Sequence, residues 1–369
     1  MASKSIAKRP NNRWRARYRD DAGKEHAKHF DRKVDAQRWL DEVTTSIVSG
    51  QYVDPNAGRM TFRTYAEEWR ASQPHRVTTQ ARTKSALENQ AYPWLGDRML
   101  SEIRPSEVQA WVAKLSAKNL SPATVHVIHG VVSGIFKAAV RDRRVASNPC
   151  EATKLPRKER KQVTPITMEQ LDRLADEVPE HLRALILFTA GTGLRQGEAF
   201  GLTVDRVDFL RRTVRVDRQV QPLEGAGWEF RPTKTSSSVR TIPLPRTTLE
   251  TLSAHLAAHP AGQHGLVFGD VDGEPLRRSS FGQTIWHPAR KRAGLPEGVT
   301  FHDLRHLYAS LLIRHGESVK VVQARLGHAD ASETLNTYSH LWPDSDDTTR
   351  AAVDAAFEGF GGGAVALSS

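Results

Sequence analysis

Apolar and polar positions follow different periods along this chain, and each period predicts a different architecture. In RWRARYR, Trp14, Ala16 and Tyr18 alternate with Arg13, Arg15, Arg17 and Arg19, the period of two that sends successive side chains to opposite faces of a strand. One face is apolar and the other is a row of guanidiniums. Asp20 to Gly23 supplies a turn, and Lys24 to Phe30 a return strand. Asp31 then reads as an N-cap. Ala36, Trp39, Leu40, Val43 and Ile47 recur at helical spacing, so a helix stopped by Gly50 is expected to cover the apolar face of the hairpin.

Beyond a Pro55- and Gly58-containing linker over 51–60, the period lengthens to that of helices. Phe62, Tyr65, Ala66 and Trp69 begin one, Thr78 to Ala91 forms a second, and Pro105 opens a third with Val108, Trp111, Val112 and Leu115. Ser121-Pro122 starts a long fourth that runs through Val140. A second linker, Asn148 to Pro165, is bounded by prolines and rich in Lys and Arg. Past it, Thr167 and Gln170 form a capping box and Leu182 to Ala190 a buried helix. Thr213 to Val216 and Val239 to Ile242 read as strands of a small antiparallel sheet, and Thr248 to His259 and Ser280 to Ala293 as helices. The expected fold is multidomain α+β. A small β-sheet-plus-helix N-terminal module (1–58) precedes an all-α bundle (59–157). A mostly α domain with a small antiparallel sheet (158–350) follows, and then a C-terminal tail (351–369).

The stretch FHDLRHLYASLLIRHGESVKVVQARLGHADASETLNTY, Phe301 to Tyr338, concentrates the chemistry. Leu304, Leu307, Tyr308 and Leu311 form an apolar helical stripe, with His302, Arg305, His306 and Ala309 on the face opposite. A guanidinium offers a planar fork for an anionic oxygen, and a neighbouring imidazole adds a further hydrogen bond. With Gly327-His328 and Tyr338 downstream, this is the pattern of a phosphate-handling site whose nucleophile is a tyrosine.

Charge narrows the partner. The formal net charge is +11 and the pI about 9.9, which favours a polyanion, nucleic acid first and an anionic membrane second. The first 19 residues carry seven Lys or Arg and no acid. The longest apolar run, Ala184 to Phe188, is far short of the roughly 18 residues of a membrane span, so no membrane partner is expected. The basic N-terminus has no apolar core and is not a secretory signal. The lone cysteine, Cys150, excludes an intramolecular disulfide and suits a reducing cytoplasm, where the protein is expected to be DNA-associated. The Arg13, Arg15, Arg17 and Arg19 row and the linker cations Lys158, Arg160 and Lys161 are the candidate DNA-binding residues, with a solvated charge run as the bland alternative.

Four segments in this order, TGLRQGEAFGL, TKTSSSVRTIPLP, FHDLRHLYASLL and LGHADASETLNTYSHL, resemble the signature boxes of the tyrosine recombinases, the phage integrase family. The preceding helical segment is similar to that family's core-site-binding domain and the N-terminal module to its arm-site-binding domain. The resemblance implies cleavage and rejoining of DNA through a 3′-phosphotyrosyl intermediate, by a homo-tetramer on paired sites, to integrate or excise a mobile element. It implies core and arm sites on double-stranded DNA and accessory DNA-bending or directionality proteins. Carried over residue by residue, it implies that Arg195 and Arg305 clamp the scissile phosphate and that His302 and His328 hydrogen-bond to it. Lys234 would protonate the departing 5′ oxygen, and Tyr338 would attack phosphorus. The sequence departs from the usual box at Leu307, where a small threonine is common; a packing change alone is expected there.

The residue types suit that chemistry. A free tyrosine has a pKa of about 10, and two arginines, a lysine and two histidines are expected to favour its phenolate and to offset phosphoryl charge with no metal or other cofactor. The covalent bond conserves the phosphodiester's energy, so rejoining needs no ATP, and no GxxxxGK[ST] loop occurs. Three alternatives remain at this level. His302 and His306 echo the zinc-protease HExxH, although Arg305 would oppose a metal. A non-catalytic DNA-binding regulator would use the basic modules alone. A type IB-like topoisomerase would share the chemistry without needing paired sites.

Overall fold

A computed structural model describes residues 4–358 apart from 21–22, 49–51, 53, 55–56, 75–76, 159–161, 224–226, 234, 263 and 343–345, with the backbone alone at 222, 236 and 346–348. The chain divides into two units, Met1–Arg160 and Lys161–Ser369.

In the first unit the expected hairpin forms as β2 (Trp14–Arg19) and β3 (Glu25–Phe30), and a further strand, β1 (Lys4–Lys8), pairs antiparallel with β2. Pattern reading misses β1 because KSIAK offers one large apolar side chain, Ile6; an edge strand is held by its neighbour's backbone. Helix α1 (Lys33–Val48) lies on the sheet, with Ala16, Tyr18, Ala36 and Leu40 fully buried between them. Asp31 does not act as an N-cap. Its carboxylate pairs with Arg13 at 3.0 Å, and the first helical hydrogen bond runs from Ala36 N–H to the Arg32 carbonyl. Nor is the arginine row bare. Glu25 on β3 reaches back to Arg15 (3.4 Å) and Arg17 (3.8 Å), and Arg17 Nε donates to Ser5 Oγ. Acids absent from the strand itself are supplied by its neighbours.

The bundle follows as α2 (Phe62–Ser72), α3 (Val77–Ala86), α4 (Tyr92–Leu95), α5 (Pro105–Ala117) and α6 (Pro122–Arg141); a π-turn over Leu87–Ala91 joins α3 to α4. Thr61 and Ser121 cap α2 and α6 by accepting backbone N–H bonds. Phe62, Trp111, Val132, Ile135 and Phe136 form a core whose large side chains each contribute about 1.5–3 kcal/mol on burial. Helix α6 is long and apolar enough to cross a membrane by composition, which no unbroken apolar run revealed. Val125, Ile128, Val132, Ile135 and Phe136 turn its apolar face into the bundle instead.

The second unit opens with α7 (Met168–Glu177) behind the expected Thr167–Gln170 capping box, then α8 (Glu180–Thr192) and α9 (Gln196–Phe200). Strands β4 (Val207–Asp208), β5 (Thr213–Val216) and β8 (Arg240–Pro243) make a small antiparallel sheet, and β6 (Arg218–Pro222) with β7 (Trp228–Pro232) a separate hairpin. Helices α10 (Arg246–Ala258), α11 (Arg278–Ser280), α12 (His287–Arg292), α13 (Asp303–Arg314), α14 (Val319–Leu326), α15 (Ala331–Tyr338) and α16 (Asp346–Glu358) complete it. The buried α8 packs against α7, α10 and α13. Leu307, the departure from the family box, is a core residue.

Candidate active site

The two-faced helix expected around Arg305 is buried nearly all round. On α13, Arg305 and Ala309 are as buried as Leu304, Leu307 and Tyr308, and Arg305 is 1% exposed. What lies against the supposedly polar face is the end of another helix. The last carbonyls of α14 and its left-handed Gly327 have no intrahelical partners. Three arginines take them: Arg240 Nε donates to Arg325 O (2.7 Å), Arg305 Nη2 to Leu326 O (2.6 Å) and Arg195 Nη2 to Gly327 O (3.1 Å). The negative end of a helix dipole thus gathers the cations. Arg305 Nη1 also donates to the carbonyl of Gly193, the left-handed cap of α8.

Glu198 ties the cluster together. It is buried, and its carboxylate accepts from Arg195 Nη1 (3.0 Å), Arg195 backbone N–H (2.9 Å), Arg240 Nη1 (3.3 Å) and Arg240 Nη2 (2.8 Å). Burial would raise its pKa, but Arg240 and then Arg195 more than offset that and hold it below the usual carboxylate range. Burial, then Arg195 and Arg240, lowers the pKa of Arg305, yet a guanidinium starts high enough to stay cationic at pH 7. Three guanidiniums against one carboxylate leave a positive excess.

The histidines contribute no charge to that excess. His328 is pushed down to about 3, by burial first and then by Arg305, Arg195 and Arg240. Its Nδ1 lies 2.8 Å from the buried Thr334 hydroxyl; a Thr334 O–H donated there leaves the ring proton on Nε2. His302 immediately precedes α13. Although exposed as a residue, its imidazole is held below the usual range by desolvation, His306 and Arg305. Both rings are neutral donors at pH 7, so among the described residues the positive charge expected from two Arg, one Lys and two His is carried by arginines.

Tyr338, the last residue of α15, is 1% exposed. Its hydroxyl lies 2.7 Å from His306 Nδ1. The nearby cations do favour the phenolate, as expected, but they do not decide its pKa. Burial outweighs Arg305 and Arg195 and pushes the phenol up to about 12, so the protonated form dominates at pH 7. The site therefore joins a buried phenol to a cluster with an excess of positive charge.

Comparison with known proteins identifies the family. The profile of the Phage integrase family matches residues 164–344, that of the Phage integrase central domain 62–155, and that of the Phage integrase N-terminal domain 5–49. The chain belongs to the phage integrase family. A putative prophage phiRv2 integrase of Mycobacterium tuberculosis is 29% identical over 341 residues, 89% of this chain and 88% of the relative. The integrase of Mycobacterium phage L5 is 28% identical over 311 residues, 81% of this chain and 82% of its own. Among solved structures, the Tn1549 transposon integrase in complex with a circular intermediate DNA superposes with a TM-score of 0.70 at 22% identity, covering 80% of this chain and 99% of that one. A lambda integrase tetramer bound to a Holliday junction superposes at 0.60 with 20% identity, covering 92% and 95%. The chain is a tyrosine-type site-specific recombinase with DNA as its partner.

Of the six catalytic candidates, Arg195, Arg305 and His328 meet around the end of α14, and Tyr338 reaches the α13 segment that carries Arg305 and follows His302. Lys234 lies outside the described residues, as do Arg160 and Lys161; Lys158 is exposed. The zinc-protease echo gains no third ligand among the described residues. His306 Nδ1 meets the Tyr338 hydroxyl, and Asp303 accepts from Thr300 N–H and Oγ1. Among the described residues, the group close enough to hold a metal is instead Asp20, His26 and Asp54, where Lys24 already pairs with Asp54 and His26 with Asp20.

Sequence reading left Glu198, Arg240, His306 and Thr334 without roles. Arg240 had a legible signal: in β8 it shares the inward register with Ile242, while Val239, just before the strand, is exposed. A charge on an inward strand position calls for a partner. Gly193 matters for its backbone. At φ 65°, a Cβ there would lie 2.4 Å from Tyr308 Cδ1. Gly193→Ala is expected to lower stability by about 2 kcal/mol or more, from left-handed strain plus overpacking, read as a lowered denaturation midpoint.

Proposed function

We propose that the chain cuts and rejoins DNA at specific sites through a 3′-phosphotyrosyl intermediate at Tyr338, integrating or excising a mobile element as a homo-tetramer on paired sites. The observation that carries this reading is the convergence of the Tyr338 hydroxyl with the arginine cluster: the helix whose His306 meets that hydroxyl also supplies Arg305. Arg195 and Arg305 clamp the non-bridging phosphoryl oxygens. His302 and His328, as neutral donors, hydrogen-bond to the same group, and Lys234 protonates the departing 5′ oxygen. Such donors are typically worth about 3 kcal/mol or more each in the transition state. Glu198 and Arg240 are positioning residues that hold Arg195 in place.

The proposed division of labour gives 1–58 an arm-site role, with Arg13, Arg15, Arg17 and Arg19 facing DNA, and 59–157 a core-site role. Residues 158–350, entered through Lys158, Arg160 and Lys161, carry the chemistry, and 351–369 form a tail. The tetramer is supported by the lambda integrase tetramer on a Holliday junction, whose fold this chain shares. Accessory DNA-bending or directionality proteins belong to the same reading, as does action on DNA in a bacterial or phage-infected cytoplasm.

The test is covalent capture. A random pool of nicked suicide duplexes is presented to the full-length chain in EDTA without nucleotide, and the trapped peptide is mapped. An adduct on Tyr338 with a recurrent duplex sequence is expected. DNA bound with no adduct would make the protein a non-catalytic binder, and relaxation of supercoiled DNA without any recurrent sequence would make it a topoisomerase.

A further inference from the structure

We propose that His306 is a catalytic residue: its Nδ1 takes the proton of the Tyr338 phenol as the tyrosine attacks, and returns it when the strand is rejoined. This rests on the reading of Tyr338 as nucleophile and adds the group that activates it. Among the described residues, His306 is the titratable side chain hydrogen-bonded to the Tyr338 oxygen, at 2.7 Å, with the rings 5.6 Å apart. His302 is its neighbour on the other side, ring to ring at 4.8 Å and nearly perpendicular.

The surroundings suit a base. A buried phenol is a poor nucleophile until its proton has somewhere to go, and the arginines do not remove it. The groups facing His306 are Tyr338 from α15 and, on its own segment, His302, Asp303 and Arg305. Burial lowers the imidazole's pKa; Asp303 works against that and Arg305 with it. The ring is therefore neutral at pH 7 with a lone pair free to accept, and Asp303 supports the imidazolium once formed.

The step balances. The Tyr338 Oη–P bond forms and the P–O5′ bond breaks. The phenolic proton goes to His306 Nδ1, and O5′ takes a proton from the general acid assigned to Lys234. In rejoining, the 5′-hydroxyl attacks phosphorus, its proton returns to Lys234, and His306 gives its proton to the departing phenolate. The acid and the base are thus separate groups.

The duplex recovered by covalent capture serves as substrate, with thermal melting and DNA binding confirming that each variant folds. His306→Ala is expected to slow adduct formation at pH 7 by about 100-fold or more. Its rate should climb with pH, whereas the wild type stays level through neutrality and falls only as His306 protonates. His306→Asn puts an amide near Nδ1 that can hydrogen-bond but not take a proton, and should remain as slow. A fluorinated tyrosine at 338, whose phenol is more acidic, should recover at least tenfold in the His306→Ala background. A bridging 5′-phosphorothiolate, whose sulfur leaves without a proton, should rescue Lys234→Ala but not His306→Ala.

An asparagine variant as fast as wild type would reduce His306 to a positioning residue and overturn the proposal. So would rescue of His306→Ala by the thiolate, no recovery with the fluorinated tyrosine, or an alanine variant within threefold of wild type. If the wild type itself forms no Tyr338 adduct, the underlying nucleophile reading fails instead, which the same gel shows directly.

Discussion

Tyr338→Phe is expected to abolish the covalent DNA adduct while leaving a folded protein that still binds DNA. The change removes one oxygen from a side chain whose ring is already packed in the core. The ring volume is kept, and the loss of the hydrogen bond to His306 costs about 1 kcal/mol. Binding rests on backbone cations and is insensitive to that oxygen. On the proposed mechanism strand exchange is expected to depend on it completely, because a phenyl ring has no lone pair to form the phosphoester. The check pairs a gel-shift titration with adduct formation on the nicked duplex. Unchanged binding with no adduct fits; adduct formation at a wild-type rate would mean that another side chain attacks.

Glu198→Ala is expected to have the largest effect on stability. The carboxylate is bonded to two guanidiniums, and Arg240 is itself buried. Removing one member of a buried pair leaves an uncompensated charge and typically costs about 3–5 kcal/mol, read from equilibrium denaturation. Adduct formation should also fall, by roughly the 100-fold associated with loss of one well-placed donor, because Arg195 loses the group that orients it. The pH dependence has a definite sign. Glu198 titrates below its ordinary value, so its contribution is fully present above the unfolded carboxylate pKa of about 4.3 and is lost as pH falls through the lowered folded value. The wild type should therefore lose stability through that acid limb more steeply than Glu198→Ala. Parallel acid limbs would show that the carboxylate is not ion-paired in solution.

Helix starts and strand faces were legible because they are set within a few residues. Thr61, Ser121 and Thr167 accept N–H bonds from residues three positions on, and the Trp14–Ala16–Tyr18 alternation needs nothing beyond its own strand. The Asp31 cap failed for the opposite reason, since a carboxylate that meets Arg13 across a sheet is no longer available to its own helix. The residue types of the candidate site were legible in order, but the weight of burial on the phenol and the imidazoles was not. A count of cations treats every histidine and arginine alike, whereas burial decides which remain charged.

From the sequence alone, the helical and alternating periods indicated the fold class, and the order of the four boxes carried the resemblance that implied the chemistry. Those are short-range or compositional properties. Tertiary structure alone decided that the end of α14 gathers Arg195, Arg240 and Arg305, that Glu198 bridges two of them, and that His306 meets Tyr338. It also decided that the phenol is less acidic than free tyrosine and His328 less basic than free histidine. Each of these depends on segments far apart in the chain coming together and excluding water, and desolvation acts on a group only once its distant neighbours have arrived.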